Sequence, residues 1–305
     1  MTPKIVVVGS FNTDLTAYTE RLPRPGETIL GQKFVTGPGG KGSNQAVAAA
    51  RLGAEVTFIG RVGQDVFAEI GMKIWREEGI NTDFVVRDPD HATGVAPIWV
   101  DSAGENTIIV IPGANLMVST GDIDAAEDVI AAADVVMVQL EINFDALTHT
   151  LQVAKKHGVR TILNPAPAGV ISRDVVALAD YLTPNESELE ILSGKSGADI
   201  DAAAGSLLTT EGQTAVVTLG AQGARWVNRN GSGSIPTYPV EVVDTTGAGD
   251  AFNGGFAVAL AEGKSLEDAI RFGNATAALS VTRLGTAPSM PRRAEVDALL
   301  EKYSR

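Results

Sequence analysis

Lys4-Ile5-Val6-Val7-Val8-Gly9 decides the fold reading. It is a β-branched run closed by a glycine, with no polar alternation, and it reads as a first strand buried in a sheet. The Ala-rich stretch Ser43 to Leu52 then reads as a helix and Val56 to Gly60 as a second strand. Strand, helix and strand at this spacing make a βαβ unit. Asp65 to Glu78 carries apolar residues at helical spacing and stops at Gly79. Further on, Val135 to Leu140, Arg160 to Leu163, Tyr181 to Thr183 and Ala215 to Leu219 repeat the strand pattern. Helical stretches separate them, chiefly Phe144 to His157 and Asp199 to Thr210. This alternation predicts an α/β fold: a mostly parallel sheet with helices on both faces. Two last helices, about Ala248 to Glu262 and Ser265 to Arg283, are expected to finish the core.

Two stretches depart from the pattern. Leu15 to Pro38 is rich in Pro, Gly and Thr, with short extended pieces such as Glu27 to Leu30. Gly94 to Val100 and Asn106 to Ile111 alternate in polarity around Asp101-Ser102-Ala103-Gly104, which reads as a hairpin. Together they predict a small β insertion outside the main sheet.

Composition bounds the function. The 305 residues are 44% hydrophobic and 20% charged, enough for a large core and unlike a disordered chain. Asp plus Glu number 37 against 24 Lys plus Arg, a formal charge of −13, which argues against wrapping nucleic acid. An anionic ligand must then be held locally, by helix N-termini or a few placed cations. The absence of cysteine rules out disulfides and thiolate metal sites and makes the cytosol the expected compartment. No apolar run approaches a membrane span, and Met1 to Gly9 is too short for a signal peptide, so no membrane partner is expected.

The strongest chemical signal is Asp244-Thr245-Thr246-Gly247-Ala248-Gly249-Asp250. A strand-like run, Tyr238 to Val243, precedes it and an apolar helix, Ala251 to Leu260, follows. The amides of Gly247, Ala248 and Gly249 fall at a helix start, where donors are unpaired and the dipole favours anions. Asp250 adds a carboxylate in the first turn. Phosphoryl transfer to an alcohol needs both parts: donors for the moving phosphoryl oxygens and a base for the hydroxyl. The segment also suits a plain tight turn with a helix-capping aspartate.

A second Gly-rich helix start is Gly37-Pro38-Gly39-Gly40-Lys41-Gly42-Ser43-Asn44. Its spacing fits neither a P-loop nor a dinucleotide fingerprint. Its glycines could bring backbone amides to a polyhydroxyl ligand, Lys41 could meet a phosphate, and Asn44 could bond sugar hydroxyls. A hinge before an ordinary helix is the alternative. Asn12-Thr13-Asp14, just past the first strand, could clamp vicinal hydroxyls or form an Asx turn. Glu141 occupies the equivalent strand-end position after Leu140.

Together these segments resemble the ribokinase-like (PfkB) family of carbohydrate kinases, from about Lys4 to Pro291. The resemblance rests on Gly39 to Asn44 and Asp244 to Asp250 in order. Between them lie Val138-Gln139-Leu140-Glu141, Asn164-Pro165-Ala166-Pro167-Ala168, Thr183-Pro184-Asn185-Glu186 and Thr218-Leu219-Gly220. It implies a three-layer sandwich with a β-sheet lid. The main body would be residues 1–12, 39–92 and 112–305, and the lid residues 13–38 and 93–111. It implies Asp250 as the base acting on the 5-hydroxyl of ribose, and Gly247, Ala248 and Gly249 as an anion hole. Asn12, Asp14, Gly40, Lys41, Gly42, Ser43, Asn44 and Glu141 would hold the sugar. ATP would meet Asn185, Thr218, Leu219, Gly220, Ala221, Gln222, Gly223 and Gly249, with Asn274 near the adenine. Asn185 and Glu188 would organise Mg²⁺. A monovalent cation, K⁺, would sit at Asp244, Thr246, Ser280, Arg283, Gly285 and Ser289. In the family two lids pair into a homodimer, and the lid excludes water from the reaction.

Asn274 stands where the family often carries His, and Pro38 stiffens the entry to the sugar loop. His91, His149 and His157 fall outside every motif and read as surface or packing residues. The alternatives are a kinase of the same family for another sugar or a nucleoside, and a non-catalytic sugar or nucleotide sensor. A dehydrogenase ranks lower, since no Rossmann fingerprint follows the first strand.

Overall fold

The computed structural model describes residues 2–303. In chain order the strands are β1 (Lys4–Val8), β2 (Asn12–Tyr18), β3 (Lys33–Gly39), β4 (Glu55–Gly63), β5 (Asn81–Asp88), β6 (Gly94–Val100) and β7 (Asn106–Ile108). They continue with β8 (Val135–Gln139), β9 (Arg160–Asn164), β10 (Tyr181–Leu182), β11 (Thr214–Thr218), β12 (Ala224–Asn228) and β13 (Gly231–Ile235). Nine of them form one sheet in the order β13-β12-β11-β10-β9-β8-β1-β4-β5. Every pair from β11 to β5 is parallel, and β12 and β13 add an antiparallel hairpin at one edge.

Side-chain alternation along the strands divides the core in two. Ile5, Val7, Phe58 and Met137 pack on one face, against Phe252, Phe256 and Phe272. Val6, Val8, Ile59 and Val138 pack on the other, against Leu147, Leu151 and Leu189. Helices therefore cover both faces, and the strands read as continuous apolar runs because neither face meets water. The helix expected from Asp65 spans Val66–Glu77, and Asp65 caps it through bonds from the Phe67 and Ala68 amides.

Strands β3-β2-β6-β7 form a separate sheet. The hairpin reading holds for β6 and β7, with the turn closed by Gly104 N–H donating to the Asp101 carbonyl. The continuous β6–β7 pairing stops at Ile108 because Pro97 has no N–H to return the bond it accepts from Ile109.

Some expectations are corrected. Tyr238 to Val243 is no strand: Pro239 removes one of its donors, and Val242 and Val243 are exposed. Glu27 to Leu30 is no strand either; the extended pieces of that region are β2 and β3, on either side of it. The helix expected over Asp199 to Thr210 spans Ile200–Leu207. Strand β5, the β12–β13 hairpin and a further helix, Arg293–Tyr303, have no counterpart in the sequence reading. No helix among the described residues is long and apolar enough to cross a membrane.

Candidate active site

The chain leaves β1 for the second sheet, returns to β4 on one side of it, and later enters β8 on the other. A reversal of this kind opens a crevice at the carboxyl ends of the strands. Ser10, Glu141, Asn164, Thr183 and Thr218 all lie at or just beyond such ends, after β1, β8, β9, β10 and β11.

Two helices start over this crevice. Lys41–Arg51 and Ala248–Ala261 pack so closely that a Cβ on Gly254 would lie 2.5 Å from the Ala48 Cβ. Only glycine permits that approach. It brings the two N-termini together although they are some two hundred residues apart in sequence. Asp250, almost fully buried, accepts hydrogen bonds from Asn44 Nδ2 (2.9 Å) on one oxygen and Gln45 Nε2 (3.1 Å) on the other. Burial pushes its pKa above the ordinary carboxylate range, against the pull of Lys41 and the two amide bonds; Glu141 pushes it up too. Burial works against the charge on Lys41, yet the fields of Asp250, Glu141 and Glu188 outweigh it and raise its pKa.

The start of Ala248–Ala261 is an open donor cluster. Gly247 is left-handed (φ 79°) and turns the chain into the helix. Ala248 N–H is engaged inside the turn, donating to the Thr245 carbonyl (3.2 Å), and Ala251 N–H donates to Gly247 (2.9 Å). The amides of Gly247, Gly249 and Asp250 meet no protein acceptor among the described residues. Gly249 is exposed, and a Cβ there would touch nothing within 4 Å. An anion can reach these donors.

The other helix start is closed. Lys41 N–H donates to Glu141 (3.0 Å), Gly42 N–H to Ser10 Oγ (3.4 Å), and Ser43 N–H to the Ser10 carbonyl (2.9 Å). Gly40 is left-handed (φ 85°), and a Cβ on it would meet Asn12 N at 2.6 Å; one on Gly42 would meet Ser10 N at 2.6 Å. Ser43 is fully buried, its hydroxyl accepting from the Trp75 indole (3.0 Å). This loop presents side chains to the crevice, chiefly Lys41 and Asn44. The Asn44 Oδ1 is buried without a partner among the described residues, an acceptor placed for a ligand hydroxyl.

Asn12 and Asp14 approach from β2. Asn115 Nδ2 donates to Asn12 Oδ1 (2.9 Å), and its Oδ1 accepts from Phe11 N–H (2.9 Å), so Asn115 fixes the exit from β1. Asp14 lies against the Gly39 backbone and accepts from Thr286 Oγ1 (3.2 Å). Its pKa is pushed up to about 7, chiefly by burial, with Glu141 and Asp250 adding to the rise.

The residues expected to meet nucleotide and cation all follow β10 in the chain. Asn185 and Glu188 form a reciprocal capping box at Glu186–Ser193 (both bonds 2.8 Å), and Asn185 bridges to Thr218. Burial raises the Glu188 pKa, against the Asn185 amide and Lys41. Leu219 N–H donates to the Gly223 carbonyl, closing the turn Gly220–Gln222 beside them. Asn274 donates from Nδ2 to the carbonyls of Ile235 (3.0 Å) and Pro236 (3.2 Å), so it anchors the chain leaving β13. Asp244 accepts from Thr246 N–H and hydroxyl on one oxygen and from Gly285 N–H on the other, joining two loops. Ser280 and Ser289 are buried at either end of the second loop, with Arg283 between them bound to Glu295.

The sequence reading missed Ser10, Gln45, Asn115 and Thr286, and it quoted Asn164 in a motif without giving it a role. Gln45 adjoins Asn44 in a quoted motif, which was a usable signal; Thr286 gave none.

Open helix-start amides beside a buried, doubly held carboxylate are the decisive geometry. The profile of the pfkB family carbohydrate kinases matches residues 2–293. The chain belongs to the PfkB family. A ribokinase of Haemophilus influenzae is 43% identical, covering 99% of each chain. A deoxyribokinase of Salmonella typhi is 40% identical over 94% of this chain and 95% of its own. Among solved structures, Arabidopsis thaliana ribokinase complexed with ribose and ATP superposes with a TM-score of 0.90 at 35% identity, covering 99% of both chains.

Proposed function

We infer that this chain is an ATP-dependent ribose kinase, transferring the γ-phosphoryl group to the 5-hydroxyl. The observation that carries the chemistry is Asp250, buried and ionisable, one residue from open helix-start amides. In this reading Asp250 draws the proton from the hydroxyl as the phosphoryl moves, and the amides of Gly247, Gly249 and Asp250 hold its oxygens. No covalent enzyme intermediate is required, because positioning and charge stabilisation lower the barrier. Asn12, Asp14, Asn44 and Glu141 hold the sugar. Lys41, cationic among Asp250, Glu141 and Glu188, compensates the phosphoryl charge.

The turn Thr218 to Gly223 takes ATP. Glu188 keeps one oxygen outside its capping bond, which suits a water-mediated Mg²⁺ bound mainly by the phosphates. Mg²⁺ would supply charge neutralisation there. Asp244 ties together the loops that carry Thr246, Ser280, Arg283, Gly285 and Ser289, and their carbonyls suit K⁺, which would stiffen the Gly-rich turn.

Residues 13–38 and 93–111 act as a lid over the sugar and, through a second copy, as a homodimer interface. Phe34 and the run Ile108 to Ile111 are exposed on that sheet. Phe34→Glu is expected to shift the mass in solution toward a monomer, and an unchanged mass rejects this interface.

The main test is a panel of ribose, 2-deoxyribose, fructose and adenosine with ATP and Mg²⁺, in K⁺ and in Na⁺. Ribose is expected to turn over best, releasing ribose 5-phosphate and ADP in equal amounts, and faster in K⁺. The Salmonella deoxyribokinase likeness favours 2-deoxyribose as the second reading. Preference for a nucleoside contradicts both.

A further inference from the structure

The polar groups behind Asp250 form a chain whose direction is set by one backbone carbonyl. The Thr183 carbonyl can only accept, so Asn164 turns its Nδ2 toward it (2.9 Å). That leaves Asn164 Oδ1 facing Gln45, which offers Nε2 (3.1 Å). The same Nε2 reaches Asp250 Oδ1 (3.1 Å), and Gln45 Oε1 accepts from Gln139 Nε2 (2.7 Å). Flipping Gln45 would set its Oε1 against two acceptors and its Nε2 against a donor. Gln45 and Gln139 have no accessible surface, so neither can meet a substrate directly.

We propose that Gln45 is a positioning residue for phosphoryl transfer, holding the plane of the Asp250 carboxylate through a relay anchored on Thr183, Asn164 and Gln139. Asn44 holds the other oxygen, so rotation of the carboxylate would break both bonds. Each oxygen keeps a further lone pair, and one of these faces the incoming hydroxyl. The relay also supports the ionised state, since donors to a carboxylate favour its charge. It does so beside Lys41 on the same helix, Glu141 after β8, Asp14 on β2 and Glu188 on the helix Glu186–Ser193. The assignment rests on Asp250 being the base.

The test uses the pH dependence of kcat with ribose, ATP and Mg²⁺. Gln45→Glu is nearly isosteric and puts a second carboxyl group against Asp250. The acid limb of the profile is expected to move up by about one pH unit or more. At neutral pH kcat is expected to fall about tenfold or more, with the KM for ribose changing less than about threefold. Gln139→Met removes only the donor that orients Gln45, and a smaller shift in the same direction is expected. It carries the test if Gln45→Glu fails to fold. An unmoved acid limb in a folded variant, or a change confined to KM, overturns the proposal. Asp250→Asn separates the two claims. Wild-type turnover in that variant rejects the base itself. Its inactivity together with an unmoved limb in Gln45→Glu rejects only the relay.

Discussion

Two Gly-rich helix starts face each other across the crevice, and they are built for different work. At Lys41–Arg51 the first amides are engaged by Ser10 and Glu141, and glycines 40 and 42 lie against backbone. At Ala248–Ala261 three amides meet no acceptor among the described residues, and Gly249 faces open space. The first is a closed floor that aims Lys41, Asn44 and Gln45. The second is an open receptor for negative charge. Glycine content alone does not separate them, because a glycine serves either to let protein backbone in or to let a ligand in. What decides is whether distant strand ends supply acceptors.

The contrast can be broken by adding one methyl group to either start. Gly249→Ala is expected to cut kcat about 10²-fold by displacing the phosphoryl group, a loss typical of small misplacements. Its thermal unfolding temperature should not fall, since alanine favours a helix over glycine. Gly42→Ala should reverse the pattern. Overpacking against Ser10 should cost about 1–3 kcal/mol of stability by denaturant unfolding, with activity lost mainly through unfolding. Equal behaviour of the two variants would erase the distinction.

A smaller effect sharpens the closed side. Asp14 has a pKa raised to about 7, so the folded chain binds its proton more tightly than the unfolded one. Stability from this group is complete below the unfolded value near 4, declines as pH rises toward 7, and is lost above it. Asp14→Asn removes that decline. The variant should gain unfolding temperature over the wild type as pH rises from about 4 to 7, while its KM for ribose rises. A constant difference across that range would mean that Asp14 does not carry the buried charge.

Much of this was legible in sequence. The β-branched runs β1, β8, β9 and β11 announce a sheet buried on both faces, and the two Gly-rich motifs mark the crevice. The helix over Asp65 to Glu78 was legible from the spacing of its apolar residues and its stop at Gly79. Strand β5 and the β12–β13 hairpin were not, because mixed polar residues at a sheet edge carry a weak period. Tyr238 to Val243 misled because its apolar residues suit a strand while Pro239 removes a donor. Within the site, residues that project from a quoted motif were legible. Residues that complete it from elsewhere, such as Asn115 and Thr286, were not, since only the folded chain brings them there.

The central claim is that the open helix start serves a base. It is tested most directly by the kcat of Asp250→Asn with ribose and ATP, alongside its unfolding temperature. Asparagine keeps the shape and cannot take the proton, so kcat is expected to fall by about 10² to 10⁴ in a folded protein. Turnover at the wild-type rate would contradict the account.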